Sequence, residues 1–114
     1  MGAITTHVLD TVAGQPAANV AIVLERRTGR EEWKPIGRGE TNADGRLRTL
    51  LPDNVALEPG HYRLVFDTGK YFAAQSVSTL YPAVVIVFEA LAGERHYHVP
   101  LLLSPFGYAT YRGS

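Results

Sequence analysis

The sequence predicts an all-β fold, an antiparallel sandwich of short strands, and two observations carry this prediction. Segments rich in β-branched and aromatic residues recur along the chain, and some of them alternate apolar with polar residues. Turn residues separate these segments at regular spacing, as in sandwiches and unlike βαβ folds. We expect about eight short strands and one short helix in a single domain over residues 1–114.

The first half of the chain contains four predicted strands, separated by turns rich in Gly, Pro, Asn and Asp. They run from Thr5 to Leu9, Val20 to Arg26, Trp33 to Glu40 and Arg46 to Leu50. Residues 13–16, between the first two, are predicted as a loop. In the third strand, Pro35 and the nearby glycines indicate a sheet edge or a bulge.

The second half contains four more predicted strands and the only predicted helix. The strands run from His61 to Asp67, Val84 to Phe88, His96 to Ser104 and Tyr108 to Arg112. The segment from Lys70 to Gln75 has alanines and no β-branched residue, so one or two helical turns are expected there.

Composition excludes several classes of function. The chain of 114 residues is 46% apolar, which suits one compact domain. Eleven basic residues balance eleven acidic ones, so no overall charge attracts nucleic acid or an anionic membrane. Without cysteine, the chain has no disulfide, no thiol nucleophile and no cysteine-based zinc site. The expected partner is a small molecule or another protein.

No segment has the composition of a membrane span or a secretory signal. The longest apolar run, residues 83–88, is much shorter than the roughly 20 residues that a membrane helix needs. The first residues lack a basic region followed by an apolar one. We therefore expect a soluble, cytoplasmic protein.

The pair His96 and His98 is the first candidate for chemistry. Strand side chains alternate, so these two imidazoles should share one face while Tyr97 and Val99 point to the other. Pro100 continues the histidine face and cannot donate a backbone hydrogen bond. The strand should therefore be irregular there or lie at an edge, where a partner subunit can approach.

Several interpretations of these polar residues stay open. The histidine pair could be a half-exposed polar face, a catalytic pair or, with His7 as a third ligand, a zinc site. No acidic residue at suitable spacing strengthens the zinc interpretation, and we expect no metal. Arg46 follows Asp44-Gly45 and could be only a solvated charge at a strand end. His61 looks like a surface residue.

The last seven residues, Tyr108 to Ser114, carry aromatic, cationic and hydroxyl groups where chain ends are usually featureless. We expect that something holds this tail. A free carboxylate on Ser114 could pair with an arginine or orient a histidine. The alternative is a strand that simply runs to its end.

Four separated motifs resemble those of the 5-hydroxyisourate hydrolases, relatives of transthyretin. They are Thr5-Thr6-His7-Val8-Leu9-Asp10, Asp44-Gly45-Arg46, the run from His96 to Pro105, and the ending Tyr111-Arg112-Gly113-Ser114. Vertebrate transthyretin shares the sandwich but lacks this ending and carries hormone. The resemblance implies a transthyretin-like (prealbumin-like) antiparallel β-sandwich of two four-stranded sheets with one short helix.

The resemblance also implies an assembly and a set of functional residues. The assembly is a homotetramer with sites in a channel at subunit interfaces. The implied catalytic residues are His7, Arg46, His98 and Ser114, the implied substrate-binding residues are His7, Arg46, Tyr111 and Arg112, and His96 is a further candidate. The implied reaction opens the 5-hydroxyisourate ring at an amide bond, without metal or cofactor.

These residue types suit that hydrolysis. A neutral histidine can take a proton from water, and an arginine can stabilise the negative charge that develops on the attacked carbonyl. The sequence does not divide the roles of His7 and His98. The alternatives are a noncatalytic, transthyretin-like module that binds a small ligand, and a purely adhesive sandwich, against which the histidines and the intact tail argue.

Overall fold

A computed structural model describes residues 2–114, which form nine strands and one helix. The strands are β1 (Ile4–Asp10), β2 (Gln15–Pro16), β3 (Ala21–Gly29), β4 (Glu32–Glu40), β5 (Arg46–Leu47), β6 (Gly60–Phe66), β7 (Val84–Ala90), β8 (Tyr97–Ser104) and β9 (Gly107–Thr110). The helix α1 spans Thr68–Ala73. The expected fold class, strands in two sheets with one short helix, is confirmed.

The strands form two sheets. One is antiparallel throughout, in the order β4-β3-β6-β7. The other has the order β2-β1-β8-β9, and β5 pairs with β1 as well. The two-residue strands β2 and β5 share the outer edge of β1, β5 opposite Thr6 and His7 and β2 opposite Leu9 and Asp10. The second sheet thus contains five strands where four were expected.

The central pair of that second sheet, β1 and β8, is parallel. The register places Ile4 opposite Tyr97 and Asp10 opposite Leu103. Alternation alone could not predict this, because it fixes the face of each side chain but not the direction of the neighbouring strand.

Period-two alternation builds the core between the sheets. Leu24, Leu64 and Phe66 from the antiparallel sheet are fully buried, as are Val8 and Leu101 from the other sheet. The residues between them point away from the core. The outer face of the β1–β8 sheet is therefore free to carry polar side chains.

Several sequence-based boundaries shift by one to three residues in the structure, and three changes stand out. The segment 15–16, predicted as a loop, forms the short strand β2. The fourth predicted strand ends at Leu47 instead of Leu50, because only its first two residues pair with β1. The helix begins at Thr68, two residues early, since the Asp67 carboxylate accepts a hydrogen bond from the Lys70 amide and caps it.

The predicted irregularity around Pro35 is confirmed. Strand β4 lies at the edge of its sheet. The register shifts between Leu24, which pairs with Gly37, and Glu25, which pairs with Pro35, so one residue of β4 bulges out. A proline lacks the amide that an inner strand would need, which explains the edge position.

Pro100 does not mark an edge, because β8 lies between β1 and β9. The other expectation, an irregular ladder, is met. Pairing with β9 stops at Leu101 opposite Thr110, and a single bridge then joins His98 to Gly113. The Thr110 hydroxyl donates to the Pro100 carbonyl at 2.7 Å and replaces part of the interrupted ladder.

Within residues 2–114, no helix is long and apolar enough to cross a membrane.

Candidate active site

Three strands bring three of the predicted site residues, His7, Arg46 and His98, to one face of the β1–β8 sheet. In the β1–β8 register, Thr5 stands opposite His98. On the other side of β1, His7 stands opposite Arg46 of β5. Their neighbours Thr6 and Val99 are buried toward the core. The two histidines and the arginine, widely separated in sequence, therefore lie together on the outer face.

The turn before β5 positions Arg46. The Asn42 side-chain oxygen accepts hydrogen bonds from the amides of Asp44 and Arg46, at 2.9 and 3.0 Å. Gly45 has a φ of 74°, and a Cβ there would stand 2.4 Å from the Val8 carbonyl oxygen. Only glycine lets the turn approach β1 closely enough to place the guanidinium beside His7.

A buried hydroxyl connects His98 of β8 with His96, which lies just before that strand. The Thr5 Oγ1 atom lies 2.8 Å from His98 Nδ1 and 3.4 Å from His96 Nε2. His96 and His98 are both half-buried, on the face that alternation predicts. The expectation that they share a face is confirmed.

Burial lowers the pKa of both His7 and His98, and the positive charge of Arg46 lowers each pKa further. The pKa of His98 is also lowered by the neighbouring imidazoles of His7 and His96. Both rings are therefore predominantly neutral at neutral pH, the state in which imidazole can accept a proton.

The tail closes one side of this cluster. The Gly113 amide donates to the His98 carbonyl at 2.8 Å. Ser114 lines the same cavity as His98 and Arg46, a depression of about 190 Å³. The expectation that something holds the tail is met by this backbone bridge and by contacts of Arg112.

Tyr111 and Arg112 do not line this cavity within one chain. The Arg112 guanidinium lies 4.5 Å from the centre of the Tyr97 ring, on the opposite face of β8, and pairs with Glu94 at 3.3 Å. Tyr111 is exposed and lines an apolar groove beside β7. Their role beside the substrate stays a prediction, and the contacts of Arg112 describe an anchor for the tail.

Sequence reasoning missed Thr5 and Arg48, which also line the cavity. Period-two alternation could have predicted both residues, because Thr5 lies two residues before His7 and Arg48 two residues after Arg46. Arg48 contributes a second positive charge that lowers the pKa of both His7 and His98. The cavity thus combines the neutral imidazole of His98 with two guanidinium groups, an arrangement suited to an electron-rich planar ligand.

The described part of the chain contains no group of three or more His, Asp or Glu residues placed to hold a metal ion. His7, His96 and His98 consequently do not form the three-ligand site considered from the sequence.

Comparisons with known proteins agree on one family. The model of the HIUase/Transthyretin family matches residues 4–113. A 5-hydroxyisourate hydrolase of Salmonella typhimurium is 42% identical over 97% of this chain and 80% of its own length. The structure of Klebsiella pneumoniae 5-hydroxyisourate hydrolase superposes with a TM-score of 0.86, at 35% identity over the whole of both chains. Sea bream transthyretin in complex with thyroxine gives a TM-score of 0.90 at 35% identity, over 97% of this chain and 94% of that one.

Proposed function

The chain belongs to the HIUase/Transthyretin family, and from this membership we propose that the cavity lined by His98, Arg46 and Ser114 is the active site of a 5-hydroxyisourate hydrolase. The reaction opens the ring of 5-hydroxyisourate at an amide bond and gives 2-oxo-4-hydroxy-4-carboxy-5-ureidoimidazoline. The chain is thus a hydrolase of urate degradation that needs no cofactor.

One observation supports this site above all others. The parallel register of β1 with β8, and the short pairing of β1 with β5, bring His7, Arg46 and His98 to one outer face. Each residue type has a task in amide hydrolysis, and the lowered pKa of both histidines keeps them ready to accept a proton. A sandwich that served only as a scaffold would not need these groups together.

The chemistry follows from these groups. A neutral imidazole, His98 or His7, takes a proton from water as the water oxygen attacks the carbonyl carbon. The Arg46 guanidinium stabilises the negative charge that develops on the carbonyl oxygen. When the carbon–nitrogen bond breaks, the imidazolium returns its proton to the departing ring nitrogen, so that one water is consumed overall.

A noncatalytic carrier is the second candidate, because the likeness to sea bream transthyretin with thyroxine is as close as the likeness to the hydrolase. The fold is common to both, and overall superposition does not separate them. The neutral histidines beside Arg46 favour the hydrolase, since a carrier needs no proton acceptor.

The assembly that we propose is a homotetramer with sites at subunit interfaces. In one chain, His98 and Arg46 are only half-buried and Ser114 is exposed. Strands β7 and β9 lie at sheet edges and expose apolar side chains, among them Val85, Val87 and Tyr108. Association of copies would cover these edges and enclose the cavity, and could bring Tyr111 to a neighbouring site. Sedimentation measurements test this assembly.

A cytoplasmic address stays a prediction.

The direct test is a spectroscopic assay. Freshly generated 5-hydroxyisourate should decay faster with the purified protein than in buffer alone, and the His98→Ala variant should lose this acceleration. Tight binding of small aromatic ligands without any acceleration of decay would favour the carrier instead.

A further inference from the structure

The Thr5 hydroxyl lies between two imidazoles and is itself almost fully buried, with 3% of the residue exposed. We propose that Thr5 is a positioning residue that accepts a hydrogen bond from Nδ1–H of His98 and donates one to Nε2 of His96. This arrangement holds His98 in the tautomer whose Nε2 carries a lone pair. The inference rests on the proposed function in one respect, that His98 acts as the base.

The single proton of the hydroxyl limits the arrangements. Thr5 Oγ1 can donate to only one of the two imidazoles, and it must accept from the other if both contacts are hydrogen bonds. If Thr5 donated to His98 Nδ1, the proton of His98 would sit on Nε2. The base would then have no lone pair for the proton of water.

The two hydrogen bonds of Thr5 can keep their proposed direction when His98 takes a proton. When His98 Nε2 takes a proton, the ring becomes an imidazolium with an N–H on both nitrogens. Nδ1–H still donates to Thr5, and Thr5 still donates to His96, so that no group has to turn. In the opposite direction, Nε2 already carries the proton of the neutral ring, and the only lone pair lies at Nδ1, where it accepts the Thr5 proton and is not available to water.

The surroundings support a fixed ring. On the other side of His98, Gly113 approaches its Cδ2 atom, and the amide of Gly113 donates to the His98 carbonyl. The ring is thus confined between the tail and β1, where Thr5 is the hydrogen-bond partner of Nδ1.

The experiment reads the tautomer in the resting protein. Long-range ¹⁵N–¹H correlation spectra of the ¹⁵N-labelled full chain distinguish Nδ1–H from Nε2–H in each histidine, and the His98→Asn variant assigns the signals of His98. We expect Nδ1–H for His98 in the wild type. Thr5→Val keeps the β-branched shape without the hydroxyl, and should shift His98 toward Nε2–H and lower kcat by roughly 10-fold or more, with little change in KM.

Two further variants serve as controls. Thr5→Ser retains the hydroxyl and should restore both the Nδ1–H tautomer and most of kcat. Thr68→Val removes a buried threonine hydroxyl near the Tyr81 carbonyl, outside the cavity, and should leave the His98 tautomer and kcat unchanged.

The outcomes separate the two proposals. A wild-type His98 with Nε2–H overturns the inference without any variant, as does Thr5→Val with wild-type tautomer populations. A changed tautomer with unchanged kcat shows that Thr5 does not position the base. A wild-type protein that fails to hydrolyse 5-hydroxyisourate overturns the proposed function instead, while the spectra still decide whether Thr5 sets the ring.

Discussion

Gly113 lies so close to His98 that a Cβ at position 113 would stand 2.5 Å from the His98 Cδ2 atom. An alanine there must push the imidazole aside, because real Cβ atoms do not approach this closely. We expect Gly113→Ala to lower kcat/KM by about 10-fold or more, since small displacements of a catalytic group are costly. The matched control is Gly107→Ala, whose added Cβ meets only Ser104 Oγ at 3.6 Å. Equal activity of both variants would contradict the role of this approach.

Replacing His98, which lines the cavity, or His7, which stands opposite Arg46 on the same face, should slow hydrolysis without unfolding the protein. His98→Ala and His7→Ala each remove a proton acceptor, and a loss of roughly 10²-fold or more in kcat/KM is the usual scale. His61 is exposed on β6, so His61→Ala is a control that should retain activity. Circular dichroism at equal concentration checks the fold. A His7 or His98 variant with full activity would remove that residue from the proposed mechanism.

The rate should fall in acid through protonation of His7 and His98. Burial, followed by Arg46, lowers the pKa of His7 and His98 from the ordinary 6.5, so kcat/KM should stay constant near neutrality and decline only below that value. Arg46→Gln should move this decline to higher pH while lowering the maximal rate. An unmoved profile in that variant would show that the arginine does not set these pKa values.

The same lowered pKa values predict how stability depends on pH. The unfolded chain binds protons at His7 and His98 more readily than the folded chain. The free energy of unfolding should therefore have its full value above about pH 6.5. It should decrease as the pH falls below 6.5 and through the lower pKa values of the two histidines in the folded chain. Thermal unfolding on both sides of this range measures the effect. In the double variant His7→Gln, His98→Gln, this part of the pH dependence should be absent.

Deleting residues 111–114 should abolish most activity and leave the β-sheet signal nearly unchanged. The deletion removes the Gly113 amide from the His98 carbonyl and the Arg112 guanidinium from the Tyr97 ring. An exposed cation–π contact contributes only about 0.5–1 kcal/mol, so a small decrease in Tm is expected. Arg112→Gln separates anchoring from chemistry, because it removes the anchor and keeps Gly113 and Ser114. Wild-type activity of the truncated chain would show that the tail is not part of the site.

The faces of the strands could be predicted from the sequence, whereas the neighbours of each strand could not. Alternation placed His96 and His98 on one face and Tyr97 on the other, as observed. The approach of Arg46 to His7 depends on the two-residue strand β5, which is too short to carry a pattern of its own. The position of Arg46 beside His7 therefore depends on tertiary pairing. In the sequence, only the resemblance to the family connected these two residues.

Thr5 illustrates the same difference. A threonine beside a histidine in a predicted strand has no unusual feature, and its contact with His98 appears only when β1 lies parallel to β8. Pro100 favoured a strand at a sheet edge, yet β8 pairs with β9 and the tail. This pairing is interrupted between the Leu101–Thr110 pair and the His98–Gly113 bridge, where Pro100 has no amide to donate. The chemistry of single residues was therefore predictable, while the contacts among them came from the sheet.

The parallel pairing of β1 with β8 also bears on how the protein acquires its activity. The Thr5–His98 contact spans 93 positions of the chain, so the site consists of contacts of very high sequence separation. Closing so long a loop has an entropic cost that precedes any gain from pairing, and topologies of this kind fold slowly. Neither half of the chain alone contains the cluster. On the ribosome, the hydrolase cannot form until β8 has emerged and paired with β1, a strand that was synthesised much earlier.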